Sequence, residues 1–224
     1  MRPEISIYPR SVFYDGMFDH KSVRDRPYPK CFSKNVQFIN YNADRPIPIR
    51  EKQLTDSTSK VNVKEAELAV NLAWFLIRYG YEPKQITILT YYTGQVAELK
   101  RVQDKLKNKP MDYVRMGVDI QTVDNFQGQE NDIVIISCVR SNVHQTAGFT
   151  KVGNRTNVAL SRARQAMFVI GDFEMLSKAK GNDNCWVKIY DVVKQQDAFT
   201  NGTIEIGCRQ HSAYRREIDI DAFA

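Results

Sequence analysis

Three segments of the chain concentrate residues able to handle phosphate and hydroxyl groups. The first is Asn157-Val158-Ala159-Leu160-Ser161-Arg162-Ala163-Arg164, with two arginines two positions apart among apolar residues. An arginine beside a transferring phosphoryl group neutralises charge that develops in the transition state. The pattern predicts a helix over 155–163, in which successive residues are rotated by about 100°. Arg162 and Arg164 would then diverge, one toward a phosphate and the other toward a loop or carboxylate. The plainer alternative is a solvated basic helix.

The second segment, Thr122-Val123-Asp124-Asn125-Phe126-Gln127-Gly128-Gln129-Glu130, is flanked by β-branched runs. Gly128 permits close backbone approach or an unusual dihedral angle. Gln127 and Glu130 are long polar groups suited to hydroxyls or phosphates, although an ordinary polar turn would look similar. In the third, Ile86-Thr87-Ile88-Leu89-Thr90-Tyr91-Tyr92-Thr93-Gly94-Gln95, a strand ends at Thr90 and a helix follows. Free backbone N–H groups at such a helix start attract anions, and Thr90 adds a hydroxyl. Thr93 reads as the helix cap.

These segments need a scaffold, and the hydrophobic pattern supplies one. Strands are predicted over 36–41, 86–90, 118–123, 133–139 and 167–171. Helices are predicted over 11–14, from 62 to a stop at Gly80, and over 94–107, 173–178 and 185–193. The stretch 42–60, rich in proline and hydroxyl residues, reads as an exposed loop. Alternating strands and helices imply an α/β domain with a mostly parallel sheet flanked by helices. Ligands of such sheets meet the loops at the carboxyl ends of the strands, and the three segments are assigned there. Residues 1–196 form this domain, with 1–60 an irregular lead-in, and 197–224 are expected to be a flexible extension.

With 224 residues, 42% hydrophobic, the chain is long enough for a sizeable core without staples. Its formal charge of +6 favours phosphate backbones as partners. Cys31, Cys138, Cys185 and Cys208 are far apart and form no CxxC pair, against a disulfide framework and in keeping with a reducing compartment. No apolar stretch is long enough to span a bilayer, and no signal-peptide pattern opens the chain. The expected location is the cytoplasm, its ribonucleoprotein granules or the nucleus. His20, His144 and His211 show no catalytic pattern.

In their order along the chain and at these intervals, the three segments resemble the motifs of superfamily 1B helicases of the up-frameshift and senataxin type. Met1-Arg2-Pro3-Glu4-Ile5, Phe13-Tyr14-Asp15-Gly16 and Asn62 with Glu65-Ala66 are similar to further habits of that family. Glu130-Asn131-Asp132-Ile133, Val139-Arg140-Ser141-Asn142, Gly148-Phe149 with Asn154-Arg155, and Cys208-x-x-His211 resemble the branch carrying X-box-factor-type zinc fingers. The two ligands of Cys208-x-x-His211 cannot complete a tetrahedral site, so no metal is expected here.

The resemblance implies the second RecA-like domain of an ATP-dependent RNA or RNA/DNA helicase. Such a domain has a P-loop NTPase-type fold but lacks its own P-loop. Arg162 is implied as the arginine finger and, with Gln127, as catalytic. Gly128, Glu130, Arg162 and Arg164 are implied on the nucleotide side, and Thr90, Tyr92, Gln95, Thr122, Arg140 and Asn142 on the nucleic-acid side. Tyr91 stands where relatives usually carry proline. ATP and Mg²⁺ would be held mainly by a first RecA-like domain, which is also the expected partner, together with single-stranded RNA or DNA. No Gly-x-x-x-x-Gly-Lys-Ser/Thr loop occurs, so the chain is expected to be a fragment inactive by itself. Two alternatives stand beside this reading. One is a non-catalytic module that binds nucleic acid, binds protein or dimerises; the other is a phosphate-binding α/β enzyme such as a nucleotide transferase.

Overall fold

The computed structural model describes residues 1–30, 32–42, 48–54, 59–107, 117–181, 183–208 and 211–219. The chain opens with α1 (Pro3–Phe13), where sequence had suggested a short helix at 11–14. Pro3 needs no amide partner in the first turn, and Glu4 complements the helix dipole there. β1 (Val36–Asn40) follows, and then two short strands, β2 (Lys52–Gln53) and β3 (Lys60–Val61). The latter pair as an antiparallel ladder inside the stretch predicted to be loop. α2 (Val63–Arg78) is capped by the Asn62 side chain, which accepts the Glu65 N–H at 3.2 Å. Gly80, at φ +91, closes its far end as predicted.

The remaining elements are β4 (Ile86–Thr90), α3 (Thr93–Lys107), β5 (Asp119–Thr122), β6 (Asn131–Ser137), α4 (Gly153–Leu160), β7 (Ala163–Gly171), α5 (Phe173–Ser177), α6 (Trp186–Gln195), β8 (Phe199–Thr200), β9 (Thr203–Cys208) and β10 (His211–Asp219). Six strands form one parallel sheet in the order β5-β4-β6-β7-β1-β8. This is the RecA-like α/β architecture expected. The central strands are apolar on both faces because helices cover both. Ile133 and Ile135 of β6 pack with α2 and α3, while Val134 and Ile136 pack on the other side with α1, α4 and α6.

Two boundaries differ from the sequence reading. The helix predicted over 155–163 ends at Leu160, and Ala163 already belongs to β7, paired with Asn131. The Arg162–Arg164 divergence is therefore set by a turn and a strand. Local periodicity loses here to the parallel ladder, which satisfies backbone groups a longer helix would leave unpaired. The second difference lies at 196, where the domain was expected to end. β8 adds a sixth strand beside β1, and Gln37 grips β9 through both its amide atoms, to Glu205 O (2.9 Å) and from Glu205 N (2.7 Å). Ile204 is fully buried, so the described part of the predicted extension is tied to the sheet. Residues 209–210 and 220–224 of that extension lie outside the described residues.

Candidate nucleotide and nucleic-acid interface

Strand direction divides the candidate residues between opposite ends of the sheet. Thr90 and Thr122 end β4 and β5, Arg140–Asn142 follow β6, and all lie at the carboxyl end. Gly128 and Glu130 precede β6, and Arg162 precedes β7, so they lie at the amino end with Arg164. This corrects the assignment of all three segments to the carboxyl end. The reason is the short link 123–130, which connects two parallel strands and so must run from one end of the sheet to the other.

At the amino end the link and the α4–β7 turn are joined. Asn131 N–H donates to Arg162 O (3.1 Å), and Arg162 Nη1 donates to Gln129 O (3.1 Å). Arg162 also donates through Nε to Val158 O (3.0 Å) and through Nη2 to Ser161 Oγ (2.8 Å). Arg164 bridges Asp132 (3.0 Å) and Glu130 (3.5 Å). These charges are open to solvent: the Arg164 and Glu130 side chains are 36% and 52% exposed. Gly128 has φ +82, a left-handed geometry that disfavours other residues, with open space beside its α-carbon. Gln127 is exposed on the same link.

The carboxyl end is built differently. Glu65, fully buried on α2, accepts from Ser137 Oγ and from Val139 N–H, each at 2.7 Å. Burial raises its pKa to about 8, against the opposing pull of these bonds and of the Tyr41 hydroxyl. The Val139 amide needs this partner, because a β-branched residue at φ +70 is strained by roughly 1–3 kcal/mol. Asn62 Nδ2 holds the Val139 carbonyl at 3.2 Å. Past the kink, Glu51 gathers Arg140, Ser141 and Asn142. Glu51 pairs with Arg140 (3.1 Å), accepts the Ser141 N–H, and accepts from Asn142 Nδ2 (3.1 Å). Asp172 caps α5 and binds Ser141 Oγ (2.6 Å) and Asn42 Nδ2 (2.9 Å).

This frame relocates several residues expected to touch a strand. Gln95 is fully buried, exchanging bonds with Asn62 N–H (2.8 Å) and Asn62 O (2.9 Å) and donating to Ser137 Oγ (3.1 Å). It locks α3 to α2 instead of facing solvent. Arg140 is buried, and Asn142 spends its amide on Glu51 and the Thr146 backbone. Thr90 is fully buried, and its hydroxyl has no hydrogen-bond partner among the described residues. Thr93 begins α3 without capping it; Ser59 Oγ accepts the Gly94 N–H at 2.9 Å.

Thr122 and Tyr92 do reach a cavity at this end, of about 310 Å³, whose lining also includes Thr93, Asn125, Phe149 and Arg155. Neither Phe149 nor Arg155 was singled out as a contact from sequence. The detectable signal was an aromatic directly after a glycine, with a basic residue, Arg155, in the helix that follows. A larger cavity of about 650 Å³, lined by residues 10–18 and Lys188, contains none of the candidate residues. Among the described residues no group of three or more His, Cys, Asp or Glu is placed to hold a metal. Cys208 and His211 face one another as backbone partners where β9 meets β10.

A family model described as an AAA domain matches residues 1–174. The chain is 33% identical over 211 residues to the NFX1-type zinc finger-containing protein 1 of Mus musculus, a match covering 94% of the chain and 10% of that protein. It is 34% identical over 209 residues to Helicase sen1 of Schizosaccharomyces pombe, covering 92% and 12%. With ATP-dependent helicase upf1 of the same yeast it shares 31% over 183 residues, covering 80% and 19%. The chain thus spans between a tenth and a fifth of the length of these relatives. It belongs to the AAA-domain family of superfamily 1B helicases, with similarity to the branch that carries zinc fingers.

Proposed function

We propose that this chain is the second RecA-like half of an ATP-dependent motor that moves on single-stranded RNA. Its amino end completes a nucleotide site, and its carboxyl end holds part of the strand. The observation that carries the reading is the partly exposed cluster of Arg162, Arg164 and Glu130 at the amino end, within a family of helicases. Two guanidinium groups and one carboxylate suit phosphate oxygens and a ribose hydroxyl, so the donor set fits half of a nucleotide site. ATP with Mg²⁺ would supply the phosphoryl group to be transferred, and a P-loop on another domain would hold most of it.

Arg162 is the finger in this scheme. Three of its donors rest on Gln129, Val158 and Ser161, which orient the guanidinium without neutralising it. Glu130 accepts a ribose hydroxyl once Arg164 is drawn to its other partner, Asp132. Gln127 lies on the same link as Asp124, so one short segment runs between the nucleotide end and the strand end. Movement of that link with the α4–β7 turn would couple the two.

The test is ATP turnover by this chain alone and joined to the P-loop domain of its own longer protein, with and without single-stranded RNA. The expected result is no turnover alone and strand-stimulated turnover when joined. Tight, sequence-specific binding with no turnover in the joined protein would replace the motor with a non-catalytic binding module.

A further inference from the structure

Single exposed apolar side chains are common and need no function. Phe149 differs in how it is held out. Its ring lies at the cavity of the carboxyl end and is 50% exposed. Both of its neighbours are fixed from below. Gly148, at φ +56, packs so tightly that an added Cβ would come within 2.1 Å of Arg140 Nη1 and 2.6 Å of Tyr92 Oη. Thr150 is fully buried, and its carbonyl accepts from Trp186 Nε1 (2.9 Å) and Thr156 Oγ1 (2.6 Å). The Phe149 N–H itself donates to Tyr92 Oη (3.2 Å). The loop therefore has no freedom to fold the ring inward.

One face of that ring is already taken by a cation. The Arg155 guanidinium carbon stands 4.9 Å from the ring centre, within cation–π range. Arg155 Nε is held there by Asp124 Oδ1 at 2.9 Å. Asp124 is exposed and Arg155 partly so, at 58% and 36%, so solvent screens the pair and it contributes little to stability. The cavity is at the small end of the roughly 300–1,000 Å³ typical of ligand sites, and its rim carries hydroxyl and amide groups. A rigid aromatic, an adjacent guanidinium and polar groups along a groove are the components by which proteins bind single strands.

We propose that Phe149 is the stacking platform for one base of the bound strand, and that Arg155 covers it until a strand arrives. On binding, a base takes the ring face, and Arg155 exchanges Asp124 for a backbone phosphate. Asp124 is thus a competitor that keeps the platform covered in the free protein. The proposal rests on the strand-binding reading of the carboxyl end and adds to it a position and a means of recognition.

The experiment measures anisotropy of labelled single-stranded oligouridine, and of an abasic backbone of equal length, with this chain at low salt. Phe149→Ala is expected to weaken oligouridine binding about 5- to 150-fold, the range of a lost base stack, and to leave abasic binding unchanged. Phe149→Trp is expected to keep affinity, with its fluorescence quenched by oligouridine and not by the abasic chain. Trp74 and Trp186, both buried, give the background for that signal. Asp124→Asn is expected to strengthen binding of both probes about two- to fivefold. Wild-type binding with no Phe149→Ala effect and no quenching in Phe149→Trp overturns the platform and leaves strand binding standing. An affinity drop in Asp124→Asn overturns the competition. Absence of wild-type binding to either probe overturns the strand-binding reading itself.

Discussion

The two ends of one sheet handle their charges in opposite ways. At the carboxyl end the Arg140–Glu51 pair is buried, with side chains 9% and 7% exposed, and the groups around it are knitted by Glu65, Asn62 and Asp172. At the amino end the Arg164–Glu130 pair is open at 36% and 52%, and Arg162 rests on backbone carbonyls and a serine hydroxyl. A buried charged network permits few arrangements, because each member needs its partner to offset desolvation. The exposed cluster can exchange partners at little cost. The carboxyl end thus has a fixed buried frame beneath its open Arg155–Asp124 pair, and the amino end is a surface that a second surface can complete.

The largest effect expected from this contrast concerns Arg162. In the joined two-domain protein, Arg162→Ala should lower ATP turnover by about 10³–10⁵ and leave anisotropy-measured strand affinity unchanged. Near-normal turnover would remove the finger from the amino end and dissolve the division of labour.

Next comes Glu51→Ala, which strips a buried arginine of its carboxylate. Urea unfolding should show a loss of about 3 kcal/mol, the lower end for breaking a buried pair. A change below about 0.5 kcal/mol would mean the carboxyl end is as loose as the amino end.

Glu65 gives the same end a pH dependence. Its folded pKa of about 8 exceeds the ordinary carboxylate value of 4.5, because burial disfavours the charged form. A raised pKa contributes stability that is complete below the unfolded value and is lost as pH rises through the folded one. Melting temperature should therefore fall across that window, from about 4.5 to about 8. Glu65→Gln should flatten the fall, and an equally steep fall in the variant would assign the dependence to other groups.

The smallest effect is expected at the amino end. Glu130→Ala should shift unfolding by less than about 0.5 kcal/mol, since exposed ion pairs contribute little. A loss near that of Glu51→Ala would erase the comparison.

The legibility of the sequence follows the same division. Glu130 and Gln127 are exposed, and Arg162 is partly so, in keeping with polar identities that the core does not require. Gln95 and Arg140, expected to touch a strand, are buried in this structure, and burial is invisible in a list of residue types. Gln95 and Arg140 look as suitable for a phosphate as for an interior partner, and only the neighbouring α2 and the 48–54 stretch reveal which role they take. Phe149, quoted from sequence only for its family resemblance, is held outside by Gly148 and Thr150, a placement that its residue type does not show.

Sequence by itself determined the parallel α/β scaffold, because apolar runs and amphipathic periods are local properties written in consecutive residues. It also determined the family, through ordered motifs whose spacing chance does not reproduce. Tertiary structure alone decided where α4 stops, that β8 extends the sheet, and which end of the sheet each motif serves. Those outcomes depend on pairing between residues far apart in the chain: Ala163 with Asn131, Phe199 with Phe38, Glu51 with Arg140. A parallel ladder or a buried ion pair gains its free energy only when both partners meet, and no window of sequence contains both.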